Sequence, residues 1–291
     1  MDEKRAVDLP GAAALIGFAA LLAFNQVVIK VTGGGFGPVF QAGLRSVLAA
    51  ITIYLYMRVR GIPVAYPSGA FGWGLLSGTI FAFEFICLFV ALDLAPVSRV
   101  SILFYTMPVW LALAAHVLLP GERLTGPRAM GLVLAMAGVV LALSAPQAGT
   151  VSRWGDILSI LGAMGWASIA LLVRMSPLSK VGPETQMLFQ VIPSALWLLA
   201  LAPLFGALLR DPGWIHVGGL LFQAVCVVSL GFLAWFALLK IYRASDVASF
   251  SFLSPVFAVV FGWMMLGEEV GLKIWLALGL VAAGIFLINR K

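Results

Sequence analysis

SRVSILFYTMPVWLALAAHVLLPGER, residues 98–123, returns in altered form as SDVASFSFLSPVFAVVFGWMMLGEE, residues 245–269. With Pro108 placed on Pro255, Ser98-Arg99-Val100 falls on Ser245-Asp246-Val247. With one residue slipped, Gly121-Glu122 falls on Gly267-Glu268, and Gly138 on Gly284. Upstream, Gly37-Pro38 and Gln41 match Gly182-Pro183 and Gln186. A duplicated half in a strongly apolar chain is the sequence signature of a carrier built from inverted repeats.

Of the 291 residues, 62% are hydrophobic and 10% charged. A soluble domain is about 45–50% apolar and about 25% charged, so much of this chain must face lipid. A hydrocarbon core about 30 Å thick takes roughly 20 helical residues to cross, and unpaired backbone groups are not tolerated in lipid. Ten segments meet the requirement: Gly11–Val31, Gly37–Met57, Gly69–Leu92, Val97–Leu119, Pro127–Ser144, Trp154–Arg174, Pro183–Leu204, Ile215–Ile241, Val247–Leu266 and Gly271–Asn289. The first has no cleavage site after it and reads as a retained span. The fold expected is an all-α integral membrane protein, ten transmembrane helices in two inverted five-helix repeats (1–147 and 148–291) around a central cavity.

Charge gives the direction. Of 18 Lys and Arg, Arg45 lies inside a span; Lys30, Arg99, Arg153, Arg210 and Lys273 fall on one side, and the other twelve share the side of the N-terminus. The positive-inside rule places both termini in the cytoplasm. Five spans per half is an odd number, so the second half enters from the opposite side. Trp73, Trp154, Trp214 and Trp275 fall near expected interfaces, as an aromatic belt requires.

The net charge of +6 and pI of about 9.6 do not signal nucleic acid, because the basic residues are spread over short loops. There is no phosphate-binding glycine loop. Cys87 and Cys226 lie in apolar runs and read as small buried hydrophobes. His116 and His216 read as interfacial, and neither has metal-ligand spacing. No cofactor or metal is expected, and the chain is not expected to be an enzyme.

The 91–143 stretch, with its small residue entering the helix, mid-helix proline, Gly-Glu turn and glycine-rich closing helix, resembles a repeat end of the drug/metabolite transporter superfamily, EamA type. Residues 237–288 carry the same features. Within that family the chain as a whole is most similar to the YddG aromatic amino-acid exporters. The resemblance implies a ten-helix carrier of the bacterial inner membrane that exports amino acids or similar small metabolites.

Glu84, in FAFEFICLFV, is deep in the third span. A carboxylate there costs about 2.5–3.5 kcal/mol on insertion scales, so it faces a cavity, finds a partner or carries a proton. It is a candidate for a substrate ammonium and for proton coupling; a structural hydrogen bond is the plain alternative. Arg45 follows Gln41 by four residues, on one helix face. It is a candidate receiver of a substrate carboxylate, or a partner of Glu84, or a snorkelling side chain. Asn25, Gln41, Gln186 and Gln223 are either cavity amides or helix-to-helix ties. Tyr105, Phe81, Trp166 and Trp235 are candidate lining, against ordinary packing. Pro108 and Pro255 each remove a backbone donor and are candidate hinge or cavity-wall residues. Gly121-Glu122 and Gly267-Glu268 read as structural turns. Gly131, Gly138, Gly279 and Gly284 allow close packing of the fifth and tenth helices.

These features point to a secondary carrier moving a small amphipathic metabolite across the bilayer by alternating access. Proton coupling and homo-oligomer formation stay open. The alternatives are a multidrug exporter of lipophilic cations and, more distantly, a channel or a membrane enzyme.

Overall fold

A computed structural model describes residues 7–119, 124–145, 153–242, 247 and 250–289. The helices are α1 (Leu9–Thr32), α2 (Pro38–Arg60), α3 (Ala70–Leu94), α4 (Val97–Phe104), α5 (Met107–Leu118), α6 (Gly126–Leu143), α7 (Arg153–Met175), α8 (Pro183–Leu201), α9 (Trp214–Leu221), α10 (Phe232–Ile241), α11 (Leu253–Leu266) and α12 (Leu272–Asn289). Among the described residues, eight segments are long and apolar enough to cross a membrane, and Phe250–Leu266 and Leu272–Ile288 are two shorter apolar helices. The only sheet-like pairing among the described residues is an isolated bridge between Phe36 and Leu209.

Among the described residues, four of the ten segments are not single α-helices; the seventh follows α8 with a 3-10 turn, Ala202–Phe205. The fourth span breaks between α4 and α5 at Tyr105–Thr106, so Pro108 occupies the first turn of α5, where a missing N–H costs nothing. The eighth passes from α9 through a π-helical stretch, Phe222–Gly231, into α10. There the Ser229 hydroxyl donates to the Ala224 carbonyl five residues back at 2.8 Å. The ninth enters through a short 3-10 turn, Phe250–Phe252, and Pro255 sits in the first turn of α11 rather than within it. An internal proline is found instead in α8, at Pro193.

The broadest helix contact joins α6 to α12. A Cβ at Gly284 would stand 2.6 Å from the Gly131 carbonyl oxygen and 2.7 Å from the Ala135 Cβ, and one at Gly138 2.7 Å from Val281. Glycine is what lets these backbones meet. Gly279 differs from the expectation: a Cβ placed there would meet nothing within 4 Å. Cys87 is buried as expected, but Cys226 is exposed on the outside of the bundle. Trp73, Trp154, Trp214 and Trp275 are all exposed.

The face opposite the N-terminus is laced by polar contacts. Lys30 Nζ, from the end of α1, donates to the Leu92 and Ala95 carbonyls at 2.7 and 2.8 Å, closing the end of α3. Arg210 grips Asp93 with both terminal nitrogens, at 2.5 and 2.8 Å, and donates to the Gly33 carbonyl at 3.1 Å. That pairing holds the Arg210 guanidinium above its ordinary pKa. Glu268 accepts from the Val97 and Ser98 amides at 2.5 and 2.9 Å. It therefore caps α4, far away in sequence, rather than the helix that follows it. Gly267 has the left-handed conformation expected, φ 65°; Gly121-Glu122 lie outside the described residues.

Candidate functional site

The buried polar side chains divide into those that are satisfied and those that are not. Arg99 is satisfied. Its Nε and Nη2 edge holds Asp156 of α7 at 2.6 and 2.8 Å. Its Nη1 donates to the Ala142 carbonyl at 2.7 Å, which closes the end of α6. The sequence reading missed this pair: it counted Arg99 only as a loop cation. The available signal was an acidic residue, Asp156, in the first turn of a span.

Arg45 of α2 is only 2% exposed and Glu84 of α3 only 4%. Each is the charged neighbour acting on the other. Among the described residues, Arg45 Nε and Nη2 and Glu84 Oε2 have no hydrogen-bond partner. The guanidinium lies over Phe85, 3.8 Å from the ring centroid, and 4.9 Å from that of Phe89. Such contacts return up to about 2 kcal/mol when desolvated, less than orphaned polar groups cost. Gly165 of α7 faces the Glu84 stem, and Phe81 meets Phe85 edge-on at 4.4 Å.

One turn along α2, Gln41 Nε2 donates to the Ile29 carbonyl at 3.2 Å and to Gln223 Oε1 at 3.3 Å. Gln223, carried by the π-helical stretch, donates to Thr32 Oγ1 at 3.2 Å. These bonds fix both amides and leave Gln41 Oε1 with no partner. Asn25, one turn before Ile29 on α1, is buried, and its Oδ1 too is unpartnered.

Beside this layer, Ser101 of α4 donates to Gln26, and the buried Tyr105 hydroxyl lies near Ser254 and Gln26. Trp166 stacks on Phe104 at 5.5 Å and meets Tyr105 edge-on at 6.2 Å. Glu84, Arg45, Gln41, Gln223 and Phe81 thus belong to one connected region, with Tyr105 and Trp166 at the α4–α7 contact, and Asn25 is buried on α1. Two other sequence candidates lie elsewhere. Gln186 donates to the Leu178 and Val181 carbonyls at 2.8 and 2.9 Å, tying the turn before α8. Trp235 stacks on Phe18 at 4.8 Å, beside an apolar groove of about 390 Å³ between α1 and α10. His116 and His216 each accept a loop amide, from Leu124 at 3.3 Å and Gly213 at 2.9 Å. No cluster of three or more metal-ligating side chains occurs among the described residues.

A bundle of apolar helices around a buried, unsatisfied pair of opposite charges defines a multi-pass membrane protein with a polar centre. The profile of the EamA-like transporter family matches residues 9–144 and again residues 153–290. The chain belongs to that family, a family of transporters rather than enzymes. It is 22% identical over 278 residues to YoaV, an uncharacterized transporter of Bacillus subtilis, covering 94% of each chain. It is 26% identical over 276 residues to a probable amino-acid metabolite efflux pump of Escherichia coli, covering 90% of this chain and 89% of the relative. A solved crystal structure with 19% identity superposes with a TM-score of 0.68 over 95% of this chain and 97% of the other, a likeness of fold alone.

Proposed function

We propose that this protein is a secondary carrier of the bacterial inner membrane that exports small amphipathic metabolites, aromatic or other amino acids, by alternating access. The distribution of Lys and Arg supports a cytoplasmic position for both termini. The observation that carries the reading is the Arg45–Glu84 layer. Buried unpaired charges are costly, and intramembrane ionisable groups mark substrate or ion pathways. The satisfied Arg99–Asp156 pair makes the contrast within one molecule. The rings of Phe85 and Phe81, set edge to face, supply apolar surface beside the charges.

In the proposed cycle the two repeats, 1–147 and 148–291, rock around this layer. Helices α1 to α5 move against α7 to α11, while α6 and α12 serve as a glycine-packed support. The break at Tyr105–Thr106 and the π-helical stretch supply compliant backbone on either side. Glu84 is the candidate proton carrier. The relative named as a probable amino-acid metabolite efflux pump supports the substrate class.

Counterflow of labelled amino acids in proteoliposomes tests the reading. Saturable exchange of at least one of the twenty is expected, with its pH response lost in Glu84→Gln. Absence of exchange for all twenty overturns the substrate class, and an unchanged pH response in Glu84→Gln removes Glu84 from proton coupling.

A further inference from the structure

The layer's unmet hydrogen bonds can be counted by type, and the count describes a ligand. The orphan donors are Arg45 Nε and Nη2. These two atoms form the side edge of the guanidinium, where parallel N–H groups match the two oxygens of one carboxylate. The same chain shows that edge occupied: Arg99 Nε and Nη2 hold Asp156 Oδ1 and Oδ2. The orphan acceptors of the layer are Gln41 Oε1 and Glu84 Oε2. Two acceptors, one of them on a carboxylate, suit the N–H groups of a primary ammonium.

Resting on the carrier reading above, we infer that this layer is a head-group site for a zwitterionic α-amino acid, with its carboxylate on the Nε/Nη2 edge of Arg45 and its ammonium shared by Glu84 and Gln41. The site is built before the ligand arrives. Gln41 is oriented by the bonds its amide donates to Ile29 and Gln223. The Arg45 guanidinium rests on the rings of Phe85 and Phe89, while its Nε and Nη2 atoms stay unpartnered. A ligand with both charges leaves the layer neutral. An organic cation meets Arg45 without a carboxylate to offset it, and a carboxylic acid meets Glu84 without an ammonium. Glu84 and Arg45 therefore act together as a filter against both kinds of monovalent ligand, which separates this site from that of a lipophilic-cation exporter.

Two matched sets of probes test the inference on the purified full-length wild type: L-phenylalanine, 2-phenylethylamine and 3-phenylpropionate, then L-leucine, 3-methylbutylamine and 4-methylpentanoate. Calorimetric titration in detergent reads binding, and counterflow in proteoliposomes reads transport. In at least one set the amino acid is expected to bind, with the amine and the acid each weaker by roughly 100-fold or more, because each leaves buried groups unpaired. Arg45→Lys keeps the charge and removes the paired edge, and is expected to weaken the amino acid by roughly 100-fold while leaving the amine unchanged. An amine or acid binding within about threefold of its amino acid overturns the head-group site and leaves the carrier reading standing. Where neither set binds, the series is repeated with an amino acid that exchanges in counterflow, beside its own amine and acid; exchange of none of the twenty overturns both readings. The analogue series needs no variant, so it decides the matter even where Arg45→Lys does not fold.

Discussion

Replacing Arg45 and Glu84 together with methionine is expected to make the protein more stable and to abolish transport. Three orphaned buried groups, Arg45 Nε and Nη2 and Glu84 Oε2, are removed by the pair of changes. Each such group costs about 1–3 kcal/mol. The changes also forfeit the guanidinium contacts on Phe85 and Phe89, up to about 2 kcal/mol. They lose too the attraction between two charges that lie near one another, a smaller gain than desolvation takes from such pairs in other proteins. The net expectation is a gain of about 1–4 kcal/mol, in line with the replacement of buried ion pairs by apolar side chains elsewhere. Methionine is suited to the site because its flexible chain fills irregular space. Unfolding in detergent, followed by the reactivity of the buried Cys87 thiol, reads the change as a shift of the midpoint. A double variant less stable than the wild type would refute the reasoning, since it would mean that the two charges hold the helices together.

The opposite result is expected at the satisfied pair: Asp156→Asn leaves Arg99 with a buried charge it cannot offset, at a cost of about 2–4 kcal/mol in the same unfolding assay. Gly284→Leu should separate α6 from α12 and cost about 2 kcal/mol or more through overpacking, while Gly279→Leu, with open space around it, should leave the midpoint unmoved. Glu268→Gln removes the charge that caps α4 and should cost about 1 kcal/mol. It should also speed thiol labelling of a cysteine placed at Leu208, on the laced face; unchanged labelling would mean that this contact does not help to close that face.

Much of the fold is legible in the sequence because hydrocarbon imposes a simple rule on length and composition. The ten apolar runs become the observed helical segments with shifts of a few residues at their ends, and Pro108 marks the region of the break in the fourth span. The break itself falls at Tyr105–Thr106, ahead of the proline, since a proline fits the first turn of the helix it begins. The π-helical stretch is not legible: its apolar run looks like any other span, and the i→i+5 pairing is a choice made by the packing around it. Arg45 and Glu84 stand out in sequence because a charge in mid-span has few innocent explanations. Arg99 and Asp156 escape notice because each lies near the end of a span, where charges are common, and they are 57 residues apart. The repeat makes Gln41 and Gln186 equivalent in sequence, yet Gln41 faces Gln223 across the bundle while Gln186 ties a local turn. Local partners, not the duplicated position, decide which amide keeps an open acceptor.

The most direct test of the central claim is counterflow of the twenty labelled amino acids into proteoliposomes, run in parallel for the wild type and for the Arg45→Met, Glu84→Met double variant. Saturable exchange of at least one amino acid by the wild type, lost in a double variant that remains folded, is the expected result. Equal exchange by both proteins would contradict the assignment of the Arg45–Glu84 layer as the place where the substrate binds.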